Sequence, residues 1–353
     1  GNSPDPIELI EQYGADGVRV GVLISSPAGN DLPFDSAQCE QGRNFTNKIW
    51  NAYRLVASWE VREMEQPLSS KVAIEWFENR FLQVLNDIND NYDKFRISDA
   101  LMATYKLVWD DFCSWYLEMI KPGYQQPIDS ATLNQTLDFF ERILKVMHPF
   151  TPFVTEELYH ALKQRSANDD IVISSWPTAA TPNTDPLTQF AYNEKVITHL
   201  RNIRKQNNIA SKVKLDLFVK ASSSVAQDSD SIIVKMGNLS SLQYVDQAIA
   251  QSNSFIVDGR EFFVPFGDQI DVEAEKKKLQ EELAYTQGFL KSVYGKLHNE
   301  KFMAGAPEAV VANERKKEAD ALAKIAILEK KIAEFLHTED TILYAAAFDA
   351  NGG

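Results

Sequence analysis

The sequence predicts a mainly α protein: a helical bundle, then a small α/β domain, then an antiparallel coiled-coil hairpin. Three observations carry that reading. Apolar residues recur every three or four positions through residues 35–180, the period of a half-buried helix. Around residues 212–220 the spacing drops to two, and at 255–266 two apolar runs flank the turn residues Asp258-Gly259. From residue 271 the apolar steps alternate between four and three, in two stretches divided by Gly305 and Pro307. A length of 353 residues suits two or three domains, and 44% hydrophobic against 24% charged residues suits a packed core.

Taken in order, residues 1–34 read as a connector. The chain opens "GNSPDPIELIEQYGADGVRV" without an initiator Met, which reads as a cut inside a longer protein. The bundle, 35–180, opens on the helix containing "RNFTNKIWNAYR" (43–54). Three apolar stripes follow: Ile74, Phe77, Phe81, Val84 and Ile88; Leu101, Tyr105, Val108, Phe112, Trp115 and Met119; Leu133, Leu137, Phe140, Leu144 and Met147. "TPFVTEELYHAL" starts a further helix, with Thr151 as its cap and Pro152 in the first turn, where the missing N–H costs nothing. "WPTAATPNTDPL" (176–187), with three prolines, is a linker.

In the α/β segment, 188–270, Val213, Leu215, Leu217 and Val219 alternate as a half-buried strand. Residues 228–240 read as a short helix, and Asp258-Gly259 sits between two apolar runs as a hairpin turn. In 271–337, Leu279, Leu283, Thr286, Leu290, Val293 and Leu297 form a seam with one polar member. Ala321, Ile325, Leu328, Ile332 and Phe335 return it. Two arms of about 30 residues, each about 45 Å long, make a hairpin. Residues 338–353 offer no cap or partner and read as a loosely ordered tail.

Charge and cysteine content narrow the classes. Two cysteines, Cys39 and Cys113, without a near neighbour at metal-ligand spacing, suit a reducing compartment. No apolar window reaches membrane-spanning length and no signal peptide is present, so the expectation is a soluble, cytoplasmic protein with no membrane partner. The net charge of -14 speaks against nucleic acid, but its distribution is uneven. Residues 271–337 carry 12 basic and 12 acidic side chains, while residues 1–270 carry 24 and 35. Local basic stripes can still meet a phosphate backbone.

No catalytic constellation is legible. The histidines at 148, 160, 199, 298 and 337 form no HxxxH pair, and no GxGxxG or GxxxxGK[ST] loop occurs. The expectation is no metal and no cofactor in this chain. Residues 43–54 are different. With Arg43 at zero, Arg54, Asn47, Asn51, Asn44 and Lys48 fall within an arc of about 140°, and Trp50 borders it. Phe45, Ile49, Ala52 and Val56 take the opposite, core-facing side. Asn supplies both donor and acceptor to a base edge, Arg a planar fork, and an edge Trp a stacking plate, which suits unstacked RNA bases better than duplex DNA. A solvated face whose asparagines cap or bridge neighbouring helices fits the same pattern.

Further along, Arg201, Arg204 and Lys205 share a helix face. Lys291, Lys296 and Lys301 lie on the first arm, and Arg315, Lys316 and Lys317 on the second. Acids match the arm's bases one for one, so these are either solvated flanks or a phosphate-facing subset.

Together these motifs resemble the C-terminal part of the valyl-tRNA synthetase family, class I aminoacyl-tRNA synthetases. The opening segment looks like the stretch that follows the family's lysine-rich signature loop. "SSPAGNDLPFD", "RNFTNKIWNAYR" and "HPFTPFVTEELY" look like its anticodon-binding domain. "KLHNEKFMAGAPEAVVANERKK" is similar to the tip and return of its tRNA-binding arm, the motif that selects valyl over isoleucyl and leucyl relatives. Gly17 stands where family members usually have Ala. The resemblance implies that Arg43, Asn44, Asn47, Lys48, Trp50 and Asn51 meet the anticodon. It implies that Arg201, Arg204, Lys205 and the arm residues Lys291, Lys296, Lys301, Arg315, Lys316 and Lys317 meet the body of tRNA(Val). It also implies a monomer, whose intact form ligates valine to tRNA(Val) with ATP and Mg while this portion does neither. The rival expectation from the residues alone is a helical and coiled-coil protein-interaction scaffold.

Overall fold

The computed structural model describes residues 4–25, 34–220, 227–265, 272–299, 302 and 305–349. They form two units: one holds residues 1–198 with 226–238, the other 199–225 with 239–353.

The first unit is helical because its apolar stripes must cover one another. Helices α1 (Pro6–Tyr13) and α2 (Ala15–Ile24) meet at Gly14, whose φ of 77° a side chain would resist. α3 (Ser36–Ala57) follows, its first turn capped by the Asp35 carboxylate, which accepts the Ala37 N–H at 2.9 Å. Next come α4 (Leu68–Asp93), α5 (Ile97–Lys106), a π-helical segment (Leu107–Tyr116), α6 (Leu117–Ile120), α7 (Ser130–Met147) and α8 (Pro152–Leu162). A two-residue parallel bridge joins β1 (Val61–Arg62) to β2 (Ile128–Asp129). α1 and α2 pack with α3, so the stretch read as a connector is part of this unit.

The core is aromatic. Phe77 packs against Phe112, Tyr116 and Phe139, with ring centroids 4.8–5.3 Å apart, and Phe45, Phe81 and Phe140 are equally buried. The π segment changes the face that the 3.6-residue period predicted. Leu107, Cys113 and Tyr116 become buried, while Trp115 is only half-buried. An i→i+5 ladder advances the face differently from an α-helix, and nothing in the residue types announces it. The proline-rich linker lies along α4. Trp176 donates to Asn89, Asn86 donates to the Ala180 carbonyl, and the Asn183 N–H donates to Asn79.

α9 (Thr184–Gln206) carries the chain from the first unit into the second. The short helix expected at 228–240 is α10 (Asp230–Met236), and it packs on α4 and α6. That segment therefore belongs to the first unit, whereas the sequence placed all of 188–270 in one domain. Its buried Ile232 and Ile233 need an apolar partner, and α4 and α6 provide one.

In the second unit the sheet runs β4-β3-β6-β5, from β3 (Leu215–Lys220), β4 (Leu239–Val245), β5 (Ser252–Val257) and β6 (Arg260–Pro265). β3 and β4 are parallel, and the other pairs antiparallel. The Asp258-Gly259 turn is as expected: φ values of 46° and 81° are those of a two-residue hairpin loop. β4, "LSSLQYV", carries no strict alternation that would announce a strand.

The arm pairs α11 (Val272–Leu297) with α12 (Glu308–Asp349) in antiparallel fashion, since Glu282 meets Lys324 and Glu314 meets Lys296. Its seam follows the expected positions: Thr286, Leu290, Val293, Ala321 and Leu328 are buried. Thr286 satisfies its hydroxyl by donating to the Glu282 carbonyl at 2.7 Å. The α12 backbone runs on to Asp349, past residue 337 where the sequence reading ended the arm. "TILYAAAF" contains no helix breaker, and its alanines favour continuation. Among the described residues, no helix is long and apolar enough to cross a membrane.

Candidate nucleic-acid interface

α3 is held by close backbone approach. A Cβ built on Gly42 would lie 2.2 Å from the Gly17 carbonyl oxygen, and one on Gly21 would lie 2.6 Å from the Cys39 nitrogen. Only glycines allow α2 and α3 to cross this tightly. Gly17 itself leaves a Cβ 3.1 Å from the Arg43 nitrogen, so the Ala usual in the resembled family would need the helices to part by a few tenths of an ångström.

With one face of α3 buried through Phe45, Ile49, Ala52 and Val56, the opposite face presents Asn44, Asn47, Trp50, Asn51 and Arg54. Trp50 is 38% exposed. Among the described residues, the amides of Asn44, Asn47 and Asn51 have no hydrogen-bond partner. The three asparagines neither cap nor bridge helices, which removes the structural explanation for choosing Asn over better helix formers.

Of the three basic residues of the arc, Arg43 and Lys48 are occupied. Arg43 donates to the Gln12 carbonyl at 3.3 Å, pairs with Glu40 at 3.5 Å and lies 5.6 Å from the centroid of Tyr13. Lys48 sits 5.1 Å above the Trp109 ring, which is stacked on Tyr105. Arg54, absent from the site expected from sequence, is exposed and has no side-chain partner among the described residues.

Beside the arc opens a groove of about 360 Å³. It is lined by Asn47 and Trp50 of α3, by Tyr13 and the α1–α2 turn, and by Phe153 of α8. Phe153 is 65% exposed at the start of α8, an unusual position for an aromatic unless it stacks on something. It is held there by Asp16, whose carboxylate accepts the N–H groups of Phe153 and Val154 at 3.3 and 2.7 Å. Thr151 holds the cap position as expected but turns its hydroxyl back to the Met147 carbonyl, so Asp16 supplies the capping bonds of α8. Burial pushes the Asp16 carboxyl above the usual range, against those two hydrogen bonds. Sequence reasoning missed Phe153 because its partner wall lies about a hundred residues earlier in the chain.

The other expected contacts divide. Arg204 donates to the Val213 and Ala210 carbonyls at 2.7 and 3.3 Å, and burial lowers its pKa; it clamps the loop after α9. Arg201 and Lys205 are exposed on the same helix. On the arm, Lys317 and Lys296 share the buried Glu314, at 2.7 and 3.5 Å. Lys291, Arg315 and Lys316 are exposed and have no ion-pair partner among the described residues. Lys301 lies outside the described residues.

Among the described residues, one group has metal-capable donors within reach of one another: Glu156, His160 and Asp170. The His160 Nε2 lies 3.1 Å from each carboxylate, and the Glu156 carboxylate also accepts the Ile171 N–H. These contacts tie α8 to the following turn. Sequence inspection passed over the cluster because Asp170 joins it across a loop.

Residues 75–219 match the family model described as the anticodon-binding domain of tRNA ligase, and residues 271–335 match the valyl tRNA synthetase tRNA binding arm. The α3 arc lies ahead of the first match. The valine–tRNA ligase of Christiangramia forsetii is 51% identical over 333 residues, that of Parabacteroides distasonis 49% over 334, and that of Bacillus cereus 32% over 349. These alignments cover 94–95% of this chain but 38–39% of each relative.

Proposed function

We infer, from a chain that corresponds to the C-terminal part of the valine–tRNA ligase family, that its bundle receives the anticodon loop of tRNA(Val) and its helical arm the tRNA body. The catalytic portion lies outside these residues. In this reading the intact protein, a cytoplasmic monomer, ligates valine to tRNA(Val) using ATP and Mg, and the present portion supplies recognition.

One observation carries the reading: of three exposed, unpartnered asparagines on one face of α3, Asn47 lines a groove that Trp50 and Phe153 also line. An unstacked base can slide between such plates while its edge meets an amide. Asn47 and Trp50 line the groove itself and are assigned to a base; Asn44 and Asn51 flank it. Arg43 and Lys48, already engaged within the fold, set the local positive potential. The arm contributes through phosphate contacts, with Lys291, Arg315 and Lys316 the least encumbered cations.

The test is aminoacylation by the full-length enzyme carrying Asn47→Ala with Trp50→Ala. Loss of one stacked base and its hydrogen bond lowers kcat/KM at least about tenfold. The loss disappears on a tRNA whose anticodon has already been replaced. An effect below about twofold, less than about 0.5 kcal/mol, on the native tRNA overturns the assignment.

A further inference from the structure

At the end of α8, two carboxylates converge on one imidazole. Glu156 and His160 stand four residues apart on α8, which puts both on one face. Asp170, beyond the loop that follows, closes on them. The His160 Nε2 lies 3.1 Å from the Glu156 Oε1 and 3.1 Å from the Asp170 Oδ1. A ring nitrogen carries one N–H and directs it at one acceptor. Of the two contacts, that with Asp170 is the one with hydrogen-bond geometry, so Glu156 reaches the same nitrogen without receiving its proton. Among the described residues, no lysine or arginine pairs with either carboxylate.

The donors are oriented as metal ligands are. The Glu156 Oε1 accepts the Ile171 N–H at 3.1 Å, and Ile171 is itself buried, which fixes that support. The neighbouring Asp169 is already engaged, accepting the Tyr159 hydroxyl at 3.2 Å and Arg165 at 3.4 Å. The Glu156, His160 and Asp170 side chains are 33%, 43% and 49% exposed, so an ion reaches them from solvent. Two ligand atoms of a tetrahedral ion bound at about 2.1 Å lie about 3.4 Å apart. Both imidazole–carboxylate edges are within a few tenths of an ångström of that spacing, and the third edge is no longer than 4.8 Å. One nitrogen with two carboxylate oxygens suits Zn²⁺ or Co²⁺, whereas Mg²⁺ and Ca²⁺ take shells of oxygen alone.

We propose that Glu156, His160 and Asp170 bind a divalent transition-metal ion of the zinc type, with water in the remaining position. The ion replaces the single shared proton and staples α8 to the turn at Ile171. The site is independent of the RNA reading above: it shares no residue with the α3 groove.

The test uses the chelator-treated chain, with Zn²⁺ in calorimetry and Co²⁺ as a visible-absorption probe. Zn²⁺ is expected to bind saturably and to raise the melting temperature, while Mg²⁺ at the same concentration does neither. His160→Gln and Asp170→Asn each weaken Zn²⁺ binding by at least about tenfold and remove the absorption of bound Co²⁺. His298→Gln, an exposed histidine on the arm, changes neither readout. Zn²⁺ affinity and a Co²⁺ spectrum that survive in both cluster variants mean adventitious surface binding and overturn the proposal. Absence of Zn²⁺ binding, or Mg²⁺ binding as tight as that of Zn²⁺, overturns it as well.

Discussion

Gly42→Ala offers the most direct test of how α3 is positioned. The added Cβ would lie 2.2 Å from the Gly17 carbonyl oxygen and 3.0 Å from the Gly17 Cα. Ordinary contact requires α2 to retreat by about 1 Å, and what retreats is helix backbone rather than a side-chain tip. Overpacking of this kind costs about 3 kcal/mol, and the better helix propensity of Ala offsets about 1, for a net loss of about 2 kcal/mol. Gly288→Ala on α11 is the control, because a Cβ there meets nothing within 4 Å. It should stabilise the arm by about 0.5–1 kcal/mol. The six tryptophans (Trp50, Trp59, Trp76, Trp109, Trp115 and Trp176) all belong to the first unit, so tryptophan fluorescence in denaturant reports that unit alone. Gly42→Ala should lower the fluorescence midpoint, and Gly288→Ala should leave it in place while raising the helical signal's midpoint. A Gly42→Ala protein as stable as the original by fluorescence would refute the close-crossing argument.

Three further outcomes follow from particular contacts. Burial works against the Glu141 carboxylate, but hydrogen bonds from Lys163, Arg165 and Lys145 outweigh it and hold the pKa at about 2. A depressed carboxylate stabilises the fold above its unfolded value near 4.5 and loses that stabilisation as pH falls toward 2. Glu141→Gln should therefore cost about 1–2 kcal/mol at neutral pH, after discounting for solvent screening, and the gap from the original protein should narrow steadily below about pH 5. Replacing Lys291, Arg315 and Lys316 together by Ala should flatten the plot of log affinity for tRNA against log salt by about two to three units, with helical content unchanged; an unaltered slope removes them from the phosphate contacts. Asp16→Ala should cost about 1–2 kcal/mol by uncapping α8, measured as the fluorescence midpoint, and should weaken tRNA binding through the displaced Phe153.

The sequence alone determined whatever depends on neighbours a few positions apart. The amphipathic period set the bundle stripes, Asp258-Gly259 set the hairpin, and the alternating four-and-three step set the arm's seam from Thr286 to Val293. It also placed Asn44, Asn47 and Asn51 on one outward arc, because a helix fixes angles as soon as it forms. Tertiary structure decided what those residues meet. Whether the asparagines were spent on neighbouring helices required all the helices in place. That Phe153 and Trp50 line one groove depends on packing α8 beside α3, which brings together residues about a hundred positions apart. The same holds for Arg204, drawn into the loop after α9, and for Lys296 and Lys317, which share Glu314. Local period and turn chemistry are written into adjacent residues. The partner of an exposed charge or ring is chosen by the folding of distant segments, and no spacing rule along the chain encodes it.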